Sequence, residues 1–301
     1  MDALLDPFAF AFFRNGLMVA TLAGALCGLV GVYVVLKGMS YIGHGLSHAI
    51  FGGFAASTLL SVNVLLGAAV WGIASALMIN GVTRRRIIGA DAAIGVITTA
   101  SFALGLALFA VFGEGGSRSF DALLFGSILG VGMFDVLAIA GVAVVVVVVV
   151  VMAYRPLLFT TFDPEVADVS GVRTARVEAL LMVVLAGTIL STMKVLGVTL
   201  IAAALVIPAT VARMLTHSFK RMLALSTLIG AATGFIGMNA SYHLDVQSGP
   251  AIVLVGAAAF GAAFASTGVR GLRRVAGFDE HYPRSAAGSA RPGDRRVPGG
   301  S

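Results

Sequence analysis

Residues 16–53 read GLMVATLAGALCGLVGVYVVLKGMSYIGHGLSHAIFGG, and Lys37 is the only charged side chain among them apart from the two histidines. An α-helix rises about 1.5 Å per residue, so a hydrocarbon core of about 30 Å takes about 20 apolar residues to cross. The stretch therefore opens two membrane spans, 13–36 and 41–61, joined at a lysine. The same apolar pattern continues over 63–82, 91–112, 134–154, 177–193, 196–212, 222–240 and 250–268. The segment FDALLFGSILGVGM, residues 120–133, is apolar but short, and is expected to be re-entrant or interfacial.

Composition agrees. Hydrophobic residues make up 58% of the 301 and charged ones 11%, with a mean hydropathy of +1.00. A soluble domain carries about 25% charged residues, and this chain lacks the polar surface to cover a soluble globule. The fold class is all-α, a polytopic membrane protein of about eight to nine transmembrane helices. The start, MDALLDPFAFAFFRNG, has neither a basic segment nor a small-residue cleavage site, so no cleavable signal peptide is expected. One cysteine, Cys27, excludes a disulfide framework or thiolate cluster within the chain.

Lysine and arginine set the orientation. With the N-terminus outside, seventeen of the 20 basic residues fall on the cytoplasmic side, leaving Arg14, Arg118 and Lys194 outside. The expected topology in the cell membrane is N-terminus out, C-terminus in. The net charge of +6 follows from this bias and calls for no nucleic acid. Residues 1–274 form the transmembrane domain, and 275–301, rich in Gly, Pro, Ser and Arg, are expected to be a disordered cytoplasmic tail.

Small residues recur every fourth position at Gly16, Ala20, Gly24 and Gly28, a stripe that lets another helix approach closely. The run Val144 to Val151 suits a lipid-facing helix. In the cytoplasmic loop 155–178, Asp163-Pro164-Glu165 supplies an N-cap, a proline at the first helical position and an acid at the positive dipole end. Gly171 ends the short helix of about six residues that these signals predict. Asp91, Asp135 and Glu178 stand at span starts and read as caps or dipole partners. Pro208 kinks its span.

The chain has no phosphate-binding P-loop, no H-E-x-x-H and no G-x-S-x-G, and its carboxylates are sparse. That leaves the rare polar groups at membrane depth, which are functional candidates by default. His44 and His48 are four apart and share a helix face. Neutral imidazoles there can hold a divalent ion briefly, with Ser40 and Ser47 nearby. The alternative is a polar helix–helix contact near the cytoplasmic end. Asp91 is kept as a further candidate for the ion path. His243 and Asp245, in SYHLDVQSGP, either meet incoming cargo on the outer face or form a plain turn.

Four stretches resemble the permease subunit of the zinc/manganese-uptake ABC transporters. They are VYVVLKGMSYIGHGLSHAIFGGFA, ADAAIGVITTASFALGLAL, FDPEVADVSGV, and GVTLIAAALVIPATVARML followed by SYHLDVQSGPAIVLV, together spread over about residues 15 to 268. The resemblance implies a homodimer around one pathway and a non-enzymatic subunit with no covalently bound cofactor. ATP would act only through cytoplasmic ATP-binding subunits docked on the short helix, through Asp163, Pro164, Glu165, Val166 and Gly171. An extracytoplasmic metal-binding protein would deliver Zn²⁺ or Mn²⁺.

The chain departs from the family pattern Gly-Asp-x-x-Ser-His by placing His44 where an aspartate is usual, while His48 matches. An imidazole for a carboxylate shifts preference from Mn²⁺ towards Zn²⁺. It also makes passage more sensitive to pH, since a protonated imidazole cannot ligate. Two rivals stand beside this reading. One is an ABC permease for chelated iron or a cobalamin-like ligand. The other is a stand-alone proton-coupled metal transporter, for which the sequence offers neither an inverted repeat nor buried acid–base relays.

Overall fold

The computed structural model describes residues 6–85, 88–112, 124–127 and 130–279. Among these are eleven α-helices, a short 3₁₀ turn at Asp6–Ala9, and no strand. They are α1 (Ala11–Leu36), α2 (Ile42–Leu59), α3 (Val64–Arg84), α4 (Ala90–Phe112), α5 (Met133–Met152), α6 (Tyr154–Phe162), α7 (Pro164–Val169), α8 (Thr174–Leu196), α9 (Ile201–Leu215), α10 (Phe219–Leu244) and α11 (Ser248–Asp279). Each of the nine predicted spans has its helix. Seven of these helices are long and apolar enough to cross a membrane unaided. The other two are α2, diluted by its histidines and glycines, and α9. At 15 residues, α9 covers only about 22 Å.

Helix α1 is the hub. It packs against α10, α9, α8 and α5, and with α8 it is the most buried span. Its small-residue stripe is the reason. Gly24 lies on the backbone of Gly230, Gly28 on that of Ser226, and Ala20 on Gly234. Ser226 adds a hydrogen bond from its hydroxyl to the Gly28 carbonyl at 2.5 Å. Backbones this close gain dispersion and carbonyl contacts that larger side chains would forbid. On the other side of α8, α2 packs against α3 and α4, with Gly45 against Ile94 and Thr98 and Gly52 against the Ser101 carbonyl.

The valine run behaves as expected. Val144, Val145, Val147, Val148 and Val151 of α5 are exposed, while Val146 and Val150 face the core. The loop after α5 holds one more helix than predicted, because α6 precedes α7. Tyr154-Arg155-Pro156 starts it, with proline in the first turn where its missing N–H costs nothing. Of the segment 120–133, residues 124–127 and 130–133 are described, and the former pack into the junction between α8 and α9. Helix α11 runs through Asp279, and 280–301 lie outside the described residues.

Gly230→Ala places a methyl on the Gly24 carbonyl. It should cost about 1–3 kcal/mol or more, seen as a lowered melting temperature of the purified protein in detergent. Gly141→Ala, with open space around it, should not lower it.

Candidate functional site

Helix α1 ends at Leu36, and Gly38, with φ of 68°, turns the chain back. Helix α2 then begins at Ile42, so His44 falls in its first turn and His48 in its second. Both rings are half-buried. Their Nε2 atoms lie 3.1 Å apart, with ring centroids at 4.4 Å and planes at 80°. One ring donates its Nε2–H to the Nε2 lone pair of the other. Aromatic rings flank the pair: Phe102 of α4 lies 4.3 Å from His48 and Tyr41 lies 5.5 Å from His44, centroid to centroid. The Nδ1 of His48 is buried without a hydrogen-bond partner.

The geometry suits a shared ion. Two nitrogens each about 2.0–2.1 Å from a tetrahedral zinc lie roughly 3.3 Å apart. An ion displacing the shared proton therefore finds two donors already converging. No group of three or more His, Cys, Asp or Glu side chains able to hold a metal occurs among the described residues. Among the described residues the histidine pair brings two nitrogen atoms together.

The other candidates are not gathered around this pair. Asp91 is the second residue of α4 and exposed, whereas the α4 ring against His48 is Phe102, about three turns further on. Asp245 ends α10 in the left-handed region, φ 52°, its N–H bonded to the Ser241 carbonyl. It lines a cavity of about 540 Å³ with Phe12, Ser127 and Tyr242. His243 is exposed on the last turn of α10, edge-on to Tyr242 at 5.5 Å, and does not line that cavity.

Ser47 turns out to have a different task from its histidine neighbours. It is fully buried, and its hydroxyl donates to the Val198 carbonyl at 2.7 Å. Val198 lies where α8 has ended and α9 has not begun, at Gly197 with φ of 77°. The freed carbonyls are met one by one: Lys194 by the Ser127 N–H at 3.1 Å and Val195 by the Ser248 hydroxyl at 2.8 Å. Thr199 donates both its N–H and its hydroxyl to the Leu124 carbonyl, at 3.2 and 2.7 Å.

The α7 region is built as its residues suggest. The Asp163 carboxylate accepts from the Val166 N–H at 2.9 Å, Pro164 is the first helical residue, and Gly171, φ 83°, donates to the Asp168 carbonyl. Ala167 is buried, whereas Val166 and Val169 are 48% and 87% exposed, leaving two aliphatic side chains on an outward face. Behind α7 lies a cavity of about 410 Å³ lined by Pro164, Glu165, Asp168, Lys37, Arg84 and Glu178. Glu178 is more than a dipole partner. It pairs with Arg84 at 2.9 Å and Lys37 at 3.5 Å, and Lys37 also donates to the Thr160 carbonyl at 3.0 Å. Asp135 caps α5 through the Gly132 N–H at 2.8 Å, as expected, and also holds Lys194 at 2.7 Å.

The model of the family described as ABC 3 transport family matches residues 9–267. The chain belongs to the ABC 3 transport family. It is thus a multi-pass membrane permease of an ABC transporter, and the stand-alone alternative falls. Similar proteins include the manganese transport system membrane protein MntC of Halalkalibacterium halodurans, 32% identical over 87% of this chain and 89% of that protein. The manganese import system permease protein ScaB of Streptococcus parasanguinis is 36% identical over 83% of this chain and 89% of its own. A probable iron transport system membrane protein of Haemophilus influenzae is 34% identical over 89% and 98%. Among solved structures, a chain of PsaBC from Streptococcus pneumoniae in complex with Fab superposes with a TM-score of 0.79 at 33% identity, over 88% of this permease and 95% of that chain.

Ser47→Ala leaves the Val198 carbonyl unmet and should destabilise the permease by about 1–3 kcal/mol, read as a fall in melting temperature. Ser266→Ala, which removes only a bond to the preceding turn, should leave it unchanged.

Proposed function

We propose that this permease carries manganese into the cytoplasm as half of a homodimeric, ATP-driven importer, with His44 and His48 as transient ligands. The observation that carries the reading is the convergence of the two Nε2 atoms, 3.1 Å apart, on a helix facing α4, in a chain whose similar proteins include two named for manganese transport. A path residue must release its ion, so two weak donors per subunit suit passage better than a closed four-ligand site. In the homodimer the partner's pair, or water, completes the shell.

ATP is hydrolysed on separate cytoplasmic subunits that grip Val166 and Val169 of α7. An extracytoplasmic metal-binding protein delivers the ion on the side of Asp245. The N-terminus is outside and the C-terminus inside, as the lysine and arginine bias requires. Asp91, on the first turn of α4, stands at the cytoplasmic mouth. His44 in place of the family's aspartate keeps zinc as the competing cargo, because imidazole is a softer donor than carboxylate. The Haemophilus relative keeps iron as a third.

Uptake of radioactive manganese, zinc and iron by cells expressing the whole transporter tests this. His48→Ala should lower uptake of the native ion about tenfold or more at unchanged membrane abundance, and His44→Asp should move the zinc-to-manganese ratio towards manganese. Unchanged uptake with His48→Ala would make the pair a packing contact. A collapse of zinc or iron transport alone would reassign the cargo.

Val166→Asp should abolish transport and its stimulation of ATP hydrolysis while the permease keeps its melting temperature, since Val166 makes no core contact to lose. Normal uptake in this variant would remove α7 from the coupling surface.

A further inference from the structure

The α5–α10 flank of the bundle carries a feature that the ion path does not use. A cleft of about 940 Å³ opens there over α1, walled by Leu29, Val150, Val151, Leu223 and Leu228. This is the upper part of the roughly 300–1,000 Å³ range of small-molecule pockets. At one end its apolar walls give way to Tyr154, Arg155 and Lys220. Lys220 sits over the Tyr154 ring at 6.0 Å. Neither Arg155 nor Lys220 has an acidic partner among the described residues, and both line the one cleft.

We propose that this cleft is a binding site for one anionic phospholipid of the cytoplasmic leaflet. The acyl chains lie along the apolar walls, and the headgroup phosphate is held by Arg155 and Lys220 beside the Tyr154 ring. An apolar groove ended by unpaired cations at the membrane interface is the pattern that recognises such headgroups. The aromatic rings at that end, Tyr154 and Phe219 with centroids 5.8 Å apart, place the rim at headgroup level. The cleft is separate from the histidine pair, because α1 lies behind it and α2 packs on α3, α4, α8 and α9 instead. A second copy is a poor occupant: a two-fold contact would set each Arg155 and Lys220 rim against its own like charges. The assignment to the cytoplasmic leaflet rests on the orientation proposed above. The lipid binding itself does not.

Native mass spectrometry of the purified permease with equimolar phosphatidylglycerol and phosphatidylcholine tests the site independently of transport. The wild type should retain phosphatidylglycerol preferentially. Each basic side chain near a charged lipid surface is worth about fivefold in affinity. Arg155→Gln with Lys220→Gln should therefore weaken phosphatidylglycerol binding about 25-fold and leave phosphatidylcholine unchanged. Arg155→Lys with Lys220→Arg should keep the preference, which separates loss of charge from loss of fold. Ala224→Trp, filling the cleft, should weaken both lipids. Equal phosphatidylglycerol binding by the wild type and the double glutamine variant would overturn the proposal. So would an efficient disulfide between copies carrying Val151→Cys and Leu228→Cys, which would seat a second permease in the cleft.

Discussion

An unmet carbonyl in an apolar medium costs several kcal/mol, and this requirement governs the centre of the bundle. Helix α9 is short, and the chain leaves helical geometry between Leu196 and Ile201 among buried residues such as Val195, Val198 and Ile201. Carbonyls released there are stabilised by donors from elsewhere in the protein. Ser47, Ser127 and Ser248 come from three separate segments to meet the Val198, Lys194 and Val195 carbonyls, and Thr199 of the junction itself donates outward to the Leu124 carbonyl. The segment 124–127, the α2 face and the first turn of α11 are thereby fixed to one point.

The histidine pair inherits its placement from that point. Ser47 precedes His48 by one residue, so the two side chains point about 100° apart around α2. One direction is locked into the α8–α9 junction and the other is turned towards Phe102 and α4. The serine thus sets the rotation of the helix about its axis, and with it the direction in which the imidazoles present their nitrogens. Gly45, pressed on Ile94 and Thr98, sets its distance from α4. A helix carrying two polar rings through an apolar layer would otherwise be free to turn them into whatever polar contact lay nearest.

Hydropathy and spacing made the nine helices legible, because an apolar run of span length has few alternatives to a helix. The α1 stripe was legible for the same reason: small residues every fourth position have no other physical use at that density. The six-residue α7 could be read from Asp163, Pro164 and Gly171, each of which acts on its own neighbours. What could not be read were contacts across large separations. Nothing in the local sequence says that Ser47 answers Val198, or that Glu178 joins Lys37 to Arg84. Helix α6 was hidden because it follows α5 with only Ala153 between them, and no turn signal separates the two. The histidine pair was visible as spacing, but the distance between its nitrogens and the aromatic rings around it belong to the fold.

The paired and unpaired charges divide the molecule by task. Lys37 and Arg84 end α1 and α3, and Glu178 begins α8, so one carboxylate ties three spans together directly behind α7. Helix α7 itself packs on α6 and α8. Of the three tied spans, α1 is the hub, and α8 leads to the junction that holds Ser47. Helix α7 thus adjoins α8, and the end of α8 adjoins the serine that precedes His48. Lys37 and Glu178 are largely shielded from solvent, with side chains 10% and 20% exposed, while Arg84 is 39% exposed. A partly buried carboxylate shared by two cations is costly to leave with one partner missing, so the cluster braces the three helix ends together.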